Sequence, residues 1–512
     1  MSKTIWKYDP LKKRLKLRKW LVVIIFLMAL GLRGYNLEVS PPGFYVDEAS
    51  IGYNAYSILK TGKDEHGVSW PLYFKAFGDY KNPVFIYSLT PLLSVKGLEV
   101  ETVRLGSAIW GSLGVLMMMW LGWEISGNYS FALLSGLILS LMPWHLHYSR
   151  LGFEAISLVS LMTGSLAGWL RWMKKGRLKM GVVVGLLLFL GFFSYSTARL
   201  WIPLMMVLIV GMEEKQLKGR VYKLWPLILA GLLIGLGLKG WLNQHPGSLT
   251  KRLNQIAIWN DNPGVLVVLH RFWKTFWEHW NWRFLFLGGD PNLRHSSQVS
   301  SELLISWGAW LVIGLGVIWK KLKQEKIWRL VLIMVGLFPL AASLTRTDPI
   351  ATRTLQATGW FSLVISVGIW WSLAKIKQKS KGLVWLGVAM VAGLMMMFEF
   401  GNYYSDLQTQ YPQRTWGWFD GDLPEAMSWV DNYQRETGER IYLSDKIHQA
   451  YIQGLFFMKV APEKWQMKKD IPFKIAGYAD KEGVGTWLVT AGECGDKESL
   501  VDLVNYCVME EE

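Results

Sequence analysis

The chain has 512 residues, of which 51% are hydrophobic and 14% aromatic, and it contains 30 tryptophans. This is more apolar surface than a soluble protein needs, so the composition indicates a polytopic membrane protein. The formal net charge is +16, but lysine and arginine gather between apolar runs, where they meet lipid headgroups and fix topology. We therefore expect membrane lipid, and no nucleic acid, as a partner.

The N-terminal residues 1–19 form a basic leader before the first apolar run. No small-residue cleavage site follows that run, so we expect a retained anchor with the leader in the cytoplasm. Apolar runs of about 20 residues each predict about eleven transmembrane helices. These runs start near residues 20, 103, 130, 155, 180, 198, 224, 303, 327, 354 and 382.

A further apolar segment, 83–96, is short and contains Pro91, so it is either a twelfth crossing or a helix on the surface. The positive-inside rule decides between these readings. Only if the segment does not cross do the four main basic clusters share the cytoplasmic side with the N-terminus. These clusters are 174–179, 215–223, 320–326 and 375–381.

The same topology places four segments outside the membrane, at 35–102, 145–154, 243–302 and 345–353. From about residue 400 the sequence turns polar, with a helix predicted at 424–438 and strands at 440–443 and 486–490. We therefore expect a transmembrane domain at 20–399, with long outer loops 35–102 and 243–302, and a small extracytoplasmic α/β domain at 400–512. Its cysteines, Cys494 and Cys507, are either disulfide-bonded or two separate thiols.

The first outer loop carries an acidic pair, Asp47 and Glu48. If the pair begins a helix, the two side chains point about 100° apart and need not share a role. Acids in a first turn also interact favourably with the helix dipole, which is a purely structural alternative. Because a carboxylate at the membrane surface is a ready general base, we predict Asp47 as catalytic, with Glu48 as a second candidate.

A second acid, Glu154, follows the segment 144–150 at the outer end of a predicted span. Acids from two separate outer loops can converge on one site. His145 and His147 lie in the same segment, and packing among headgroups is the preferred reading over metal ligation.

Cations are scarce in the predicted outer segments, so each one there is a candidate for a specific role. A guanidinium or ammonium at this depth suits a lipid phosphate. The alternative is snorkelling or pairing with nearby acids, and for Arg104 the expected partner is Glu99 or Glu101. The candidates for phosphate binding are Lys81, Arg104, Arg150, Arg294 and Arg353.

Several short motifs in a fixed order resemble the GT-C membrane glycosyltransferases, and within them the bacterial branch of glycosyltransferase family 39, which includes protein O-mannosyltransferases and aminoarabinose transferase. The resemblance covers roughly 20–400. Relatives often have Lys-Pro-Pro at 81–83 and Asp at 154, and neither departure removes a charge. The motifs are Val46-Asp47-Glu48-Ala49, Tyr80-Lys81-Asn82-Pro83, Arg104-Leu105, Pro143 with Arg150 and Glu154, the run 284–295, and Asp348-Pro349 with Arg353.

The resemblance implies a monosaccharide donor on a polyprenyl phosphate and an acceptor, of protein, lipid or glycan type, outside a prokaryotic plasma membrane. It implies Asp47 as the base, Glu154 as a carboxylate that orients acceptor or sugar, and Lys81 with Arg353 as stabilisers of the departing phosphate. Further candidates in the matching motifs are Arg150, Arg294, Arg104, His295, Asp290 and Asp79. A divalent ion stays open, with Asp47, Glu154 and His295 as conceivable ligands.

Two other functions fit the same features. A carrier or flippase of lipid-linked sugars would grip a phosphate with the same basic surface, although spans with almost no charge in their middles argue against transport. A structural membrane subunit would tolerate the loss of Asp47 and Lys81. This tolerance distinguishes it from both the glycosyltransferase and the carrier.

Overall fold

The computed structural model describes residues 9, 11, 14–217, 221–322, 325–346, 348–379, 382–477, 485–494 and 499–511. Most of the basic leader before residue 14, and residues 218–220, 323–324 and 380–381 of the basic clusters, lie outside the described residues. The chain forms two compact units, each built from separate segments. The helical unit is Met1–Tyr35, Ser107–Ser149 and Glu154–Asp406, and the mixed unit is Asn36–Gly106, Arg150–Phe153 and Leu407–Glu512.

Helices make up most of the described chain. They are α1 Leu15–Gly34, α2 Val46–Thr61, α3 Pro83–Lys96, α4 Val100–Ser126, α5 Tyr129–Ser140, α6 Pro143–Tyr148, α7 Ala155–Lys175, α8 Leu178–Phe192, α9 Ala198–Leu217, α10 Trp225–Gln244, α11 Lys251–Ile256, α12 Val265–His279, α13 Gly308–Lys321, α14 Ile327–Gly336, α15 Leu340–Ser343, α16 Ala351–Thr354, α17 Ala357–Lys379, α18 Gly382–Thr409, α19 Tyr411–Arg414, α20 Leu423–Thr437, α21 Ala450–Phe457, α22 Pro462–Gln466 and α23 Ala491–Cys494.

Apolar helices match the predicted membrane segments. A helix begins close to each of the predicted span starts, from α1 to α18. In the described part of the chain, four helices are long and apolar enough to cross a membrane, and the number of crossings stays a prediction. These four are Val100–Ser126, Val221–Gln244, Ala357–Lys375 and Leu386–Thr409, and shorter apolar helices are Tyr129–Ser140, Leu178–Phe192 and Ile327–Ser343.

The mixed unit contains a five-stranded sheet of β3 Ile441–Ser444, β4 Phe473–Ala476, β5 Gly485–Thr490, β6 Val501–Asp502 and β7 Tyr506–Glu511. The strand order is β4-β3-β5-β7-β6. Strand β3 is parallel to β4 and β5, whereas β7 is antiparallel to β5 and β6. The predicted helix at 424–438 is confirmed as α20, which stops at Gly438 in a left-handed conformation, and the predicted strands are confirmed as β3 and β5. Two further strands, β1 Phe74–Ala76 and β2 Asp79–Lys81, form a separate two-stranded sheet.

The two cysteines connect α23 to strand β7 of the sheet. Cys494, at the end of α23, forms a disulfide with Cys507 of β7. Both belong to a small buried cluster with Trp487, Val489 and Met509. The sequence left the state of the cysteines open, and the structure pairs them.

A hairpin in the first loop brings Lys81 to a defined place. Strands β1 and β2 are antiparallel, with Ala76 opposite Asp79 and Phe74 opposite Lys81. The turn between them consists of Phe77 and Gly78, both with positive φ, which is the backbone that a two-residue hairpin favours.

The segment before α2 is held by Arg104, in the first two turns of α4. Its Nε and Nη2 donate to the Oε1 and Oε2 atoms of Glu48, each at 3.0 Å. The remaining donors reach backbone carbonyls, with Nη1 bonded to Leu37 at 2.8 Å and Pro41 at 2.7 Å, and Nη2 to Gly43 at 2.9 Å. Both charged side chains are completely buried. All five N–H groups of the guanidinium are therefore used inside the protein.

The expectation that Arg104 pairs with Glu99 or Glu101 is wrong. Glu101 pairs instead with Lys96, and Glu99 with Lys459, both near the surface. The reason is that Arg104 faces the inside of the unit, where a buried guanidinium needs a partner that is buried with it.

The C-terminal part of the mixed unit packs directly on α2. A side chain at Gly52 would lie 2.7 Å from both Phe456 and Val103, so only glycine allows this approach. The hydroxyl of Tyr53 donates to the Val460 carbonyl at 3.0 Å. The helix that carries Asp47 is thus fixed along its length by a region more than 350 residues later in the chain.

Replacing Arg104 by leucine should destabilise the protein by about 3 to 5 kcal/mol, because it removes one partner of a buried ion pair and leaves Glu48 buried without it. The matched control is Glu101→Gln, which removes an exposed ion pair and should cost at most about 1 kcal/mol. The measurement is the unfolding transition of the purified variants in mild detergent titrated with a denaturing one. Equal shifts for the two variants would contradict the structural role of Arg104.

Candidate active site

Asp47 and Lys81 form an accessible ion pair. Asp47 lies in the first turn of α2, and Lys81 ends β2. The ammonium of Lys81 donates to the Asp47 Oδ1 atom, with 38% of the Asp47 side chain and 15% of the Lys81 side chain exposed. Lys81 also lies 5.4 Å from the ring centre of Phe77 in the hairpin turn. A carboxylate and an ammonium are thus held together where a substrate can reach them.

The adjacent acids Asp47 and Glu48 do different things. Glu48 points into the unit, where its Oε1 atom accepts from the Gly152 N–H at 2.7 Å and its Oε2 from the Tyr45 N–H at 3.3 Å, in addition to Arg104. Its contacts are those of a helix cap and a buried ion pair. The geometry gives Asp47 access to solvent and gives Glu48 none.

Arg150 is a second buried guanidinium that binds the segment before α2. The Nη2 atom of Arg150 donates to the carbonyls of Ser40, at 2.7 Å, and Asn36, at 3.3 Å. Only 1% of Arg150 is exposed. Arg104 and Arg150 therefore both bind the backbone that leads into α2, and their described contacts are structural.

The helical unit holds a separate group of residues around two predicted ones, Asp290 and His295. We call it the Asp290 cluster, and its other members are Glu302, Tyr148 and Thr352. The Asp290 Oδ2 atom accepts from the Ala351 N–H at 2.7 Å and lies 3.1 Å from the His295 Nδ1 atom. The Asp290 N–H donates to Glu302 Oε1 at 3.1 Å. Asp290 thus ties the loop 288–302 to the start of α16.

Within this cluster, Tyr148 contacts both His295 and Thr352. It stacks on the His295 ring at 6.1 Å, and its hydroxyl lies 2.6 Å from the Thr352 Oγ1 atom. Burial, reinforced by the nearby Asp290 charge, raises the pKa of Tyr148 well above its usual value. Burial and the same charge raise the pKa of Glu302 in the same way. The cluster therefore favours the neutral forms of Tyr148 and Glu302.

Arg353 and Arg294 lie in the helical unit as well. The Arg353 Nη1 atom, in α16, donates to the Thr345 hydroxyl, and the Arg294 carbonyl accepts from the His147 Nε2 atom at 2.9 Å. Burial lowers the pKa of Arg353, a trend that Asp290 and Tyr195 oppose. His145 faces another way, with Nδ1 bonded to Arg33 at 3.0 Å, so the two histidines of α6 share no site.

The remaining predicted residues have simpler surroundings. Glu154 lies directly before α7, and its carbonyl accepts from Ser157. Asp79 is half-buried at the start of β2. Among the described residues, no group of three or more histidines, cysteines or acids is arranged to hold a metal ion.

Sequence reasoning missed Tyr148 and Glu302 of the Asp290 cluster, and also a buried acid of the mixed unit, Glu65. Tyr148 lies inside the segment 144–150, but nothing in the sequence marks its contacts with His295, 147 positions later, and Thr352, 204 positions later. Glu302 and Glu65 are acids in predicted outer loops, where exposure is the ordinary expectation. Both are instead buried, and only the three-dimensional packing reveals it.

Comparisons with known proteins establish the fold. No family model matches the sequence, and no curated protein matches it in sequence. Among solved structures, ArnT from Cupriavidus metallidurans bound to undecaprenyl phosphate is similar with a TM-score of 0.55 and 11% identity, over 96% of this chain and 97% of that one.

Two structures of the Archaeoglobus fulgidus oligosaccharyltransferase are similar to a comparable degree. The apo form gives a TM-score of 0.56 and 12% identity, over 94% of this chain and 70% of that one. The complex of this enzyme, AglB, with an inhibitory peptide and a dolichol-phosphate gives 0.55 and 12%, with the same coverage. These neighbours are GT-C glycosyltransferases, and the chain has their fold: a helical membrane protein with a small sheet domain.

Proposed function

We propose that this chain is a glycosyltransferase that moves a monosaccharide from a polyprenyl-phosphate donor to an acceptor on the outer face of the membrane. The observation that carries the proposal is the accessible pair of Asp47 and Lys81. It offers one group that can take a proton and one that can hold an anion. The lipid phosphates bound to ArnT and AglB in their structures support a lipid-linked donor here.

The chemistry needs few groups. The bond between the sugar carbon and the phosphate oxygen breaks, and the acceptor oxygen forms a bond to the same carbon. The phosphate leaves as an anion that is already stable, so no general acid is required, unlike in glycoside hydrolysis. The acceptor proton goes to Asp47, and the phosphate charge is met by Lys81.

The ion pair also suggests how donor binding prepares the base. In the free protein the Asp47 carboxylate is engaged with Lys81. A phosphate that binds Lys81 competes with Asp47 for the same ammonium. Donor binding would then release the Asp47 carboxylate for the acceptor hydroxyl, so the base becomes available when the donor is in place.

Other residues have supporting roles in the proposal. Arg353 would be a second cation for the phosphate, and Glu154 would orient acceptor or sugar. The Asp290 cluster, which includes His295, would shape the loop beside Arg353 together with Arg294. Arg104, Arg150 and Glu48 hold the backbone before Asp47, and Asp79 lies opposite Ala76 in the hairpin that carries Lys81.

The proposed topology has the N-terminus in the cytoplasm, about eleven crossings and the C-terminal domain outside. The disulfide between Cys494 and Cys507 supports this side for the C-terminal domain, because disulfides persist in oxidising compartments.

Asp47→Asn should lower the rate of polyprenyl-phosphate release from polyprenyl-phosphate sugars by at least about 100-fold, since it removes the base. The assay uses the purified protein with extracted membrane acceptors, and Glu101→Gln is the control that should keep the parent rate. Equal release by parent and Asp47→Asn would refute the role of Asp47. Donor binding without release, together with transbilayer movement of the donor, would favour the carrier.

Lys81→Ala should raise the KM for the donor by about 10-fold to 100-fold, because a charge-assisted hydrogen bond to phosphate is lost. Lys81→Arg should recover part of this loss, since it restores the charge with a different geometry. Steady-state kinetics at varied donor concentration check both. A KM unchanged in Lys81→Ala would place the phosphate elsewhere.

The two cysteines, which are the only ones in the chain, should be unreactive towards a maleimide under non-reducing conditions and become reactive after reduction. Mass spectrometry of the membrane-extracted protein measures the labelling. Two labelled thiols before reduction would contradict the disulfide and remove its support for the proposed side of the C-terminal domain.

A further inference from the structure

Glu65, in the loop between α2 and β1, is a fully buried acid that the proposed reaction does not use. Its side chain has no exposed surface. Two hydrogen bonds fix it to Asn54: the Asn54 Nδ2 atom donates to Glu65 Oε1 at 3.2 Å, and the Glu65 N–H donates to Asn54 Oδ1 at 3.1 Å. The Glu65 Oε2 atom has no hydrogen-bond partner among the described residues.

The groups around Glu65 come from every element packed against it. Its own loop supplies Asp64 and His66, and the His66 Nε2 atom lies 3.7 Å from Glu65 Oε1. Asp64 is occupied with the N–H groups of His66 and Val68. The other titratable or charged groups near Glu65 are Tyr53 of α2, Lys81 of β2 and Tyr451 of α21. Tyr56 of α2 and Glu463 of α22 lie near Tyr53.

Burial is the main influence on the ionisation of Glu65, and it raises the pKa to about 8. The Asn54 hydrogen bond lowers it, the Asp64 charge raises it and the Lys81 charge lowers it. Below this pKa Glu65 is neutral and above it Glu65 carries a negative charge. The transition falls in the range where enzyme activity is ordinarily measured.

Helix geometry relates Glu65 to the ion pair. Asp47 and Asn54 are seven residues apart on α2, which is two turns and about 10 Å along the same face. Asp47 binds Lys81 at one end of this face, and Asn54 holds Glu65 at the other. Lys81 is therefore hydrogen-bonded to the accessible Asp47, and its charge also favours the ionised form of the buried Glu65.

We propose that Glu65 is a positioning residue of the donor-phosphate site: as a neutral acid it leaves Lys81 to Asp47 and the lipid phosphate, and as a carboxylate it competes with the phosphate for Lys81. This inference rests on the proposed function, since it assigns the phosphate to Lys81. The sign follows from charge: ionised Glu65 attracts the ammonium and repels the phosphate, so donor affinity falls as pH rises.

The test measures binding of farnesyl methyl phosphate, a phosphodiester of a short polyprenol that keeps one negative charge, between pH 6.5 and 9. The parent should lose about fivefold or more in affinity over this range, whereas Glu65→Gln, which keeps the shape and cannot ionise, should change by less than about twofold. Glu463→Gln removes an exposed acid from the same surroundings, and should keep the parent's pH dependence.

The same pH dependence in Glu65→Gln and the parent, or a flat profile in the parent, would overturn the inference while the proposed function stands. A parent that binds no lipid phosphodiester at any pH would instead contradict the proposed function. The unfolding transition checks that Glu65→Gln is folded. If it is not, Glu65→Met, of similar volume and without charge, should give the same flat profile.

Discussion

The buried pair of Arg104 and Glu48 is the constraint on which the candidate site depends. A guanidinium with no exposed surface must have all five donors satisfied, and here they are met by one carboxylate and three backbone carbonyls. Those carbonyls belong to the segment that leads into α2. The position of the first turn of α2, and so of Asp47, follows from the need to satisfy one buried charge.

Two adjacent acids can then serve different purposes. Because neighbouring positions of a helix point in different directions, Glu48 is directed inward to Arg104 and Asp47 outward to Lys81. Lys81 reaches Asp47 because the hairpin of β1 and β2 turns over two residues with positive φ. The buried pair supplies rigidity and the accessible pair supplies the groups that we assign to chemistry, which is the arrangement expected of a preorganised site.

The sequence predicted those features that rest on local patterns. Helix α20 with its stop at Gly438, strands β3 and β5, and the different directions of Asp47 and Glu48 follow from periodicity, a glycine signal and helix geometry. The order of short motifs led to the correct fold. These features need no knowledge of which distant segments pack together.

The features that could not be predicted depend on distant contacts. Arg104 has two acids within five residues, yet its partner is 56 residues away because only Glu48 is buried with it. Glu65 lies in a stretch with Lys63, Asp64 and His66 that is typical of an exposed loop. Its burial depends on packing with the C-terminal region, including Tyr451, and no local pattern encodes that packing.

The proposed reaction requires Lys81 to bind the donor phosphate and thereby to release Asp47. The most direct measurement is an experimental structure of the protein with a non-transferable polyprenyl-phosphate sugar analogue. We expect a phosphate oxygen about 3 Å from the Lys81 Nζ atom, with the Asp47 carboxylate turned toward the sugar carbon that reacts. A phosphate bound away from Lys81, with the pair of Asp47 and Lys81 intact, would contradict it.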